Sequence, residues 1–405
     1  MNKKISLGIA ISLIAIACAV TFVVTMTVSL NLYNEKIAGV QQREEINTRI
    51  QEIDSFVRNY FLYEINDTSV KTGIYEGFLS GVSDKYSGYY TTDEYYYKNM
   101  LESGTLTGLG FETTNDGGYA KITTVYEGSP ADEAGITVGD IISAVGGENV
   151  LEIGYEAASS QLRFGDEGTK TAVTIRHQGE ETTHNLTRKA FEIKSVSETL
   201  LDNGILYFDF TTINDLTGTQ TAAAVEKYKD QSITGYILDL RDLESGNYNS
   251  VASILDPFVN QLTVATALYR NNSNKVIGET TAESFTTLPI CVITNEKTGG
   301  AAELIAVTLR DWNSAKIVGA ATMGYGTLQE ARAFSDGTAV EISVATIIPA
   351  NAESSYNETG IKPEFTVEYA GLPESDPAGY ADTYDEQYKK AVEVIISATN
   401  ASASE

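Results

Sequence analysis

Residues 289–329 read PICVITNEKTGGAAELIAVTLRDWNSAKIVGAATMGYGTLQ, and they leave this chain little choice of fold. Ile290, Cys291, Val292, Ile293 and Thr294 form an apolar, β-rich run that reads as a buried strand. A turn of small residues follows, Thr298-Gly299-Gly300-Ala301-Ala302. Then comes a helix whose Leu304, Ile305, Val307, Thr308 and Leu309 supply a core face, ending near Asp311-Trp312-Asn313. A second buried strand, Ala315-Lys316-Ile317-Val318-Gly319, leads into the glycine loop Gly324-Tyr325-Gly326. A strand, a tight turn and a helix start expose one side chain together with backbone N–H groups. That is where α/β enzymes place a nucleophile.

The flanking segments extend the same α/β pattern. Ile205-Leu206-Tyr207-Phe208-Asp209-Phe210 alternates like a strand, and a helix carrying Ala222, Ala223, Ala224 and Val225 is predicted over residues 219–229. Gly235-Tyr236-Ile237-Leu238-Asp239-Leu240-Arg241 reads as a buried parallel strand. Asp336-Gly337 marks a hairpin turn into a strand over residues 338–345. A final helix is expected over residues 385–397, carrying Tyr388, Ala391, Val392, Val394 and Ile395, with a disordered Ala-Ser tail behind it.

The N-terminal region differs in kind. Residues 5–30 are continuously apolar, long enough as a helix to cross a ~30 Å hydrocarbon core. Lys3 and Lys4 precede them, which by the positive-inside rule puts the N-terminus in the cytoplasm, and Tyr33 follows as an interfacial aromatic. A signal anchor fits better than a cleaved signal peptide, whose apolar core is ~7–15 residues, or a lipoprotein signal at Cys18. From Lys36 the pattern becomes polar and helical. Ile46, Ile50, Ile53, Val57 and Phe61 make one apolar stripe, suited to a helix packed on the body or to a short coiled coil. Asp67-Thr68 reads as the cap of a second helix with Val70, Ile74, Phe78, Leu79 and Val82. The tyrosines of residues 83–90 (SDKYSGYY) read as packing rather than a ligand cage.

Over residues 104–192 a set of motifs recurs in order: Gly108-Leu109-Gly110-Phe111, Ser129-Pro130-Ala131, Ala134-Gly135-Ile136 and Gly139-Asp140-Ile141-Ile142. Together they resemble a PDZ domain. The Gly108–Phe111 turn would offer N–H groups to a peptide's terminal carboxylate, and the strand after it an edge for β-augmentation.

The central stretch resembles the carboxyl-terminal processing, or tail-specific, serine peptidases related to tricorn. There the turn reads roughly S-A-S-A-S-E, with the middle Ser as nucleophile, and the later loop reads F-G-K-G-x-x-Q, with the Lys as general base. Glu303, Asp311, Gly324, Gly326 and Gln329 align without gaps. Further matches are D-x-Y-S-x-Y at Asp84–Tyr89, G-Y-I-x-I-x-x-F near Ile205, and G-I-x-P-D at Gly360-Ile361-Lys362-Pro363-Glu364. On this register the nucleophile falls on Gly300 and the base on Tyr325, and only the supporting Gln329 is retained. Glycine has no hydroxyl, and a tyrosine with an ordinary pKa of about 10 is a poor base near neutrality. The family's D-L-R-x-N-x-G-G becomes Asp239-Leu240-Arg241-Asp242-Leu243-Glu244-Ser245-Gly246, which alters the oxyanion-hole positions implied at Ala301, Ser245 and Gly246 and brings Glu244 nearby. Thr298, Lys297 and Lys316 are the substitutes to consider for the lost dyad.

The resemblance implies a multidomain α/β protein. Its parts are an anchor (1–30), a helical module (31–103), a PDZ domain (104–192), a tricorn/ClpP-crotonase-like protease core (193–370) and a C-terminal helix and tail (371–405). A net charge of −27 argues against nucleic-acid partners. Cys18 and Cys291 make no disulfide framework, and His177 and His184 sit in one hairpin without ligand spacing, so no metal and no cofactor are expected. The leading expectation is a membrane-anchored, extracytoplasmic pseudoprotease that binds C-terminal peptide tails through Gly108, Leu109, Gly110 and Phe111. It would act alone, as a homo-oligomer, or assembled with an active relative. The alternatives are an active serine-type endopeptidase with an altered dyad and an envelope scaffold that binds nothing.

Overall fold

The computed structural model describes residues 7–281, 285–352, 354–368 and 385–402. The chain divides into two compact units, Met1–Ile74 and Tyr75–Glu405.

The first unit is dominated by one helix, α1 (Leu7–Tyr60), of 54 residues. No proline interrupts it, so the apolar segment Ile11–Leu30 and the polar stretch after Lys36 share one uninterrupted hydrogen-bond ladder. At 1.5 Å per residue that apolar segment is long enough to cross a bilayer, by length and composition. Lys3 and Lys4 lie outside the described residues. On the polar half, Ile46 and Ile53 are exposed, Ile50 and Val57 half-buried, and Phe61 falls just past the helix end. Helix α2 (Asp67–Ser80) is capped by Asn66, whose Oδ1 accepts from the N–H groups of Thr68 and Ser69. The cap lies one residue before the expected one because Asp67 is drawn to Arg58 instead, at 2.5 Å.

The second unit begins with β1 (Gly88–Tyr90) and α3 (Thr92–Ser103), which starts with a capping box between Thr91 and Glu94. The next segment comprises β2 (Thr105–Gly108), β3 (Phe111–Asp116), β4 (Tyr119–Val125), α4 (Pro130–Glu133), β5 (Ile141–Val145), β6 (Glu148–Asn149), α5 (Val150–Ile153), α6 (Tyr155–Arg163), β7 (Lys170–His177), β8 (Glu180–Thr187) and β9 (Lys189–Glu192). Strands β3-β4-β5-β7-β8 form an antiparallel sheet in that order, while β2 pairs with β9. Leu109, Ile122, Ile142, Leu162 and Val173 fill its core.

The remainder carries β10 (Val196–Leu200), β11 (Ile205–Phe210), α7 (Thr217–Lys227), β12 (Gly235–Asp239), α8 (Val251–Leu255), β13 (Thr263–Tyr269), β14 (Asn274–Glu279), β15 (Ile290–Thr294), α9 (Ala301–Asn313), β16 (Lys316–Gly319), β17 (Thr327–Ala333), β18 (Ala339–Pro349), β19 (Phe365–Thr366) and α10 (Glu386–Ser402). The main sheet runs β10-β11-β12-β15-β16-β19, parallel except for β10. Every residue of β12 and β15 is buried because both faces of the sheet are covered. One face packs Leu238 and Val292 among residues of α8 and α9, and the other packs Ile237, Cys291 and Ile293 against Ala391 and Ile395 of α10. Helix α10 continues to Ser402, past the expected end near residue 397. A second, antiparallel sheet joins β1, β18, β13 and β14, with β17 also on β18.

The N-terminus of α10 is tied to the sheet by charge. The Arg241 guanidinium lies 2.5 Å from both Asp239 and Asp385, and the three side chains are only 11%, 5% and 1% exposed. Breaking a buried pair strands the remaining charges. Arg241→Met should therefore destabilise the chain by ~3–5 kcal/mol in urea unfolding, with the loss appearing as a lower midpoint rather than a changed slope.

Candidate active site

The turn between β15 and α9 is built before any side chain reaches into the site. Thr298 is buried, and its hydroxyl donates to the Leu240 carbonyl at 2.8 Å and accepts from the Asn295 N–H. Gly299 donates its N–H to Leu243 O at 2.7 Å, and a Cβ there would lie 2.7 Å from Glu244 O, so only glycine fits. Gly300 follows with φ 58° and ψ −120°, a conformation that L-residues avoid. Space is not the constraint at Gly300. A Cβ would meet Tyr325 Cδ1 at 3.5 Å, Ser245 Cα at 3.6 Å and Tyr248 Oη at 3.8 Å, all ordinary contacts. The geometry is that of a strained strand-to-helix elbow, without the side chain such elbows present.

Glu303, in the first turn of α9, holds the elbow to the opposite loop. Its fully buried carboxylate accepts from the N–H groups of Gly300 at 3.1 Å, Gly324 at 2.7 Å and Tyr325 at 2.7 Å, and from the Thr322 hydroxyl. Burial raises its pKa above the ordinary value, and the donors pull it back.

Tyr325 lies beside Gly300 with its ring stacked on Tyr86, centroids 3.4 Å apart and planes within 5°. The Tyr248 hydroxyl donates to Tyr325 O at 3.0 Å, and the Tyr356 hydroxyl donates to Gly300 O at 3.4 Å. Burial pushes the Tyr325 phenol far above its ordinary value, with the neighbouring Tyr248 and Glu341 adding to the shift. It stays protonated at neutral pH, and a protonated phenol cannot take a proton from a nucleophile.

Ser245 and Gly246 reach the same place: a Cβ on Gly246 would sit 3.1 Å from Ala301 Cβ. Among the described residues no hydrogen bond engages the N–H groups of Ala301, Ser245 or Gly246. Glu244, expected to disfavour an oxyanion here, has an exposed side chain turned to Lys297 at 3.8 Å. Lys297 also faces Asp242 at 3.9 Å, so it is a solvated ammonium between two carboxylates rather than a desolvated base. The Thr298 hydroxyl is engaged within the turn. Lys316 pairs in register with Cys291, near the start of β15, at the other end of that strand from Gly300. Gln329 donates to the hydroxyls of Thr327 and Ser343 on the β17–β18 hairpin. The structure thus gathers Gly300, Ala301, Ser245, Gly246 and Tyr325 and offers no nearby substitute dyad among the described residues. Sequence reading missed Tyr248, Tyr356 and the stacking role of Tyr86. Tyr86 lies in a tyrosine-rich run over residues 86–97, while Tyr248 and Tyr356 carry no local signal in the sequence.

The Gly108–Phe111 turn lies between β2 and β3. Gly110 takes φ +97°, and a Cβ there would collide with Ser129 at 2.0 Å. Its carbonyl accepts from the Tyr126 N–H and the Ser129 hydroxyl, and the Leu109 side chain is buried in the domain core. Strand β3 pairs only with β4, so its other edge faces α6. That edge is partly engaged by the chain itself. The Tyr155 hydroxyl of α6 donates to Thr113 O at 2.8 Å. The Glu112 carboxylate accepts from Tyr97 of α3 and from Tyr126, with Arg163 of α6 at 3.6 Å.

A PDZ domain joined to an α/β core with a strand–elbow–helix site is the architecture of a peptidase class. Residues 204–367 match peptidase family S41, and residues 121–177 match the PDZ domain family. The chain is 26% identical over 382 residues to the carboxy-terminal processing protease CtpA of Bacillus subtilis, covering 93% of this chain and 80% of that one. It is 24% identical over 355 residues to a probable CtpA-like serine protease of Staphylococcus aureus, covering 86% and 71%. A putative S41 protease from Bacteroides fragilis superposes with a TM-score of 0.51 at 19% identity, covering 85% of this chain and 97% of that one, a likeness of fold. Residues 204–367 thus form a peptidase family S41 core, and the chain as a whole is similar to the carboxyl-terminal processing proteases.

Removing the Glu303 carboxylate orphans four donors. Glu303→Ala should cost at least ~3 kcal/mol in urea unfolding. The raised pKa means that Glu303 binds its proton more tightly folded than unfolded. Its contribution is present in full below its unfolded value near 4.5 and declines as pH rises through the folded value. The stability gap between the natural chain and Glu303→Gln should accordingly be wider at about pH 5 than at about pH 8.

Proposed function

We propose that this chain is a membrane-anchored, extracytoplasmic pseudoprotease, a member of its family that binds C-terminal peptide tails and does not cut them. The observation that carries the reading is the elbow itself. Gly300 holds a nucleophile's backbone conformation with no side chain, and the proposed base position holds a half-buried, protonated Tyr325. A Ser–Lys dyad needs both a hydroxyl and a neutral amine, and loss of either leaves only the residual ~10³–10⁴-fold that binding and an oxyanion hole provide. The α1 segment Ile11–Leu30 supports the anchor, and Lys3 and Lys4 before it support a cytoplasmic N-terminus. The PDZ match and the edge of β3 support tail binding, with substrate sequestration or control of an active relative as its use.

The full-length chain in detergent, beside a Gly300→Ser/Tyr325→Lys double variant, tests this against an unstructured protein with an apolar C-terminus. Binding without cleavage by the natural chain, read by mass spectrometry, is the expected outcome. Cleavage by the natural chain would overturn the reading. A serine introduced at position 300 fits at ordinary contact distances but bears the strain of φ 58°, so the variant should cut slowly and unfold at a lower temperature.

The internal hydrogen bond from Tyr155 to Thr113 O competes with an incoming strand. Tyr155→Phe should tighten tail-peptide binding by about 5-fold, as measured by fluorescence anisotropy, since one hydrogen bond is worth ~1 kcal/mol net.

A further inference from the structure

Tyr86 meets Tyr325 in a way that good packing alone does not explain. The rings lie face to face with centroids 3.4 Å apart and planes within 5°, leaving little offset, the arrangement aromatic pairs favour least. The Lys85 ammonium stands 4.6 Å from the Tyr86 centroid, and with Tyr325 on one face it must cover the other. The Tyr86 hydroxyl is sealed from solvent and has no hydrogen-bond partner among the described residues. A buried hydroxyl in that state has given up its hydration for nothing in return. Tyr86 is an imperfect occupant of the place it fills.

The two sides of the stack are held differently. Tyr325 is a fixed wall, with its N–H on Glu303 and its carbonyl bonded by Tyr248. The Tyr86 backbone is anchored too, since Asp84 accepts its N–H and the next hydroxyl, Ser87, accepts from the Ser343 N–H. The Tyr86 side chain has no such tie, and the residues before it, Gly81, Val82, Ser83 and Lys85, are exposed. Leaving the stack therefore takes a rotation of one side chain and no movement of a strand.

We propose that the face of Tyr325 now covered by Tyr86 is a subsite for a planar aromatic side chain on a bound peptide tail, and that Tyr86 occupies it when no tail is present. This rests on the tail-binding reading above and adds a selectivity to it. The subsite adjoins the elbow, because Tyr325 Cδ1 lies 3.5 Å from where a Gly300 Cβ would stand. An incoming phenylalanine gains the same ring contact with Tyr325 and brings no hydroxyl to bury, so Phe is the preferred occupant.

The test uses three full-length chains in detergent: the natural one, Tyr86→Ala, which empties the slot, and Tyr86→Phe, which fills it without the unpaired hydroxyl. One apolar tail peptide carries a single Phe moved through successive positions, with Leu in its place as the control, and binding is read by fluorescence anisotropy. At one position Tyr86→Ala should prefer Phe over Leu by about 5-fold, the natural chain by less, and Tyr86→Phe least of all. The natural chain against Tyr86→Phe makes the comparison even where Tyr86→Ala fails to fold. The same Phe-to-Leu ratio in every chain overturns the proposal. A second arm needs no peptide. The tyrosine side-chain analogue p-cresol should raise the unfolding temperature of Tyr86→Ala by several degrees more than the non-planar 4-methylcyclohexanol does, and should leave Tyr86→Phe unshifted. Equal shifts from the two probes overturn the planar slot. Absence of peptide binding by all three chains, with the p-cresol effect intact, would instead sink the tail-binding reading, so the two failures are distinguishable.

Discussion

The carboxylate of Glu303 is the interaction on which the candidate site depends. A turn that ends in φ 58° and a glycine loop from a separate strand connection have no reason of their own to meet. One buried side chain with no countercharge bonded to it satisfies N–H groups from both, and the Thr322 hydroxyl besides. Burial without those donors would cost several kcal/mol, so carboxylate and loops are conditional on one another. This explains why the elbow keeps its shape with only a glycine at its apex. Its geometry is enforced from the helix side and not by the residue at its apex.

The same logic accounts for the residues that stand at the proposed dyad positions. A buried lysine must be kept neutral by desolvation, at a cost in stability. Tyr325 fills comparable space with a ring that stacks on Tyr86, while Tyr248 bonds its carbonyl. Glycine at the apex meanwhile relieves backbone strain that a serine would carry. On the proposed register, both positions favour packing over chemistry, the direction expected because active-site groups are commonly held at the expense of stability.

Much of this was legible in the sequence because the signals were local. The strand at Ile290, the small-residue turn and the helix from Ala301 follow from periodicity and glycine placement, and Glu303 with Gln329 sets the register of the two loops. What the sequence could not show depends on contacts distant along the chain. Tyr86 and Tyr325 are 239 positions apart and meet because residues 88–90 pair with β18, which is itself hydrogen-bonded to β17 just beyond Tyr325. The helix cap moved from Asp67 to Asn66 because Arg58 competes for the aspartate, a choice that local propensity does not contain. The continuity of α1 through Lys36 was also hidden, since a change of composition looks like a boundary even when the backbone has no cause to break.

The elbow region and the β3 edge, the two surfaces that the proposed function uses, are shaped by unlike means, and this bears on how they can act together. The elbow region is fixed by buried hydrogen bonds that solvent cannot replace. Among the described residues the backbone of the β3 edge is engaged by the Tyr155 hydroxyl at Thr113 O, worth about 1 kcal/mol, beside a partly exposed Glu112–Arg163 pair worth about 1 kcal/mol or less. On the proposed reading, a peptide strand adding to that edge brings several backbone hydrogen bonds of its own, so it can displace Tyr155 without unfolding anything. Glu112 also accepts from Tyr97 of α3, which runs on from β1, and β1 pairs with β18, whose Glu341 accepts from the Tyr90 hydroxyl. A movement of Glu112 would therefore reach the second sheet through one short helix and one strand. On the proposed reading, the rigid region is the one without chemistry, and the region that can yield is the one that meets the tail.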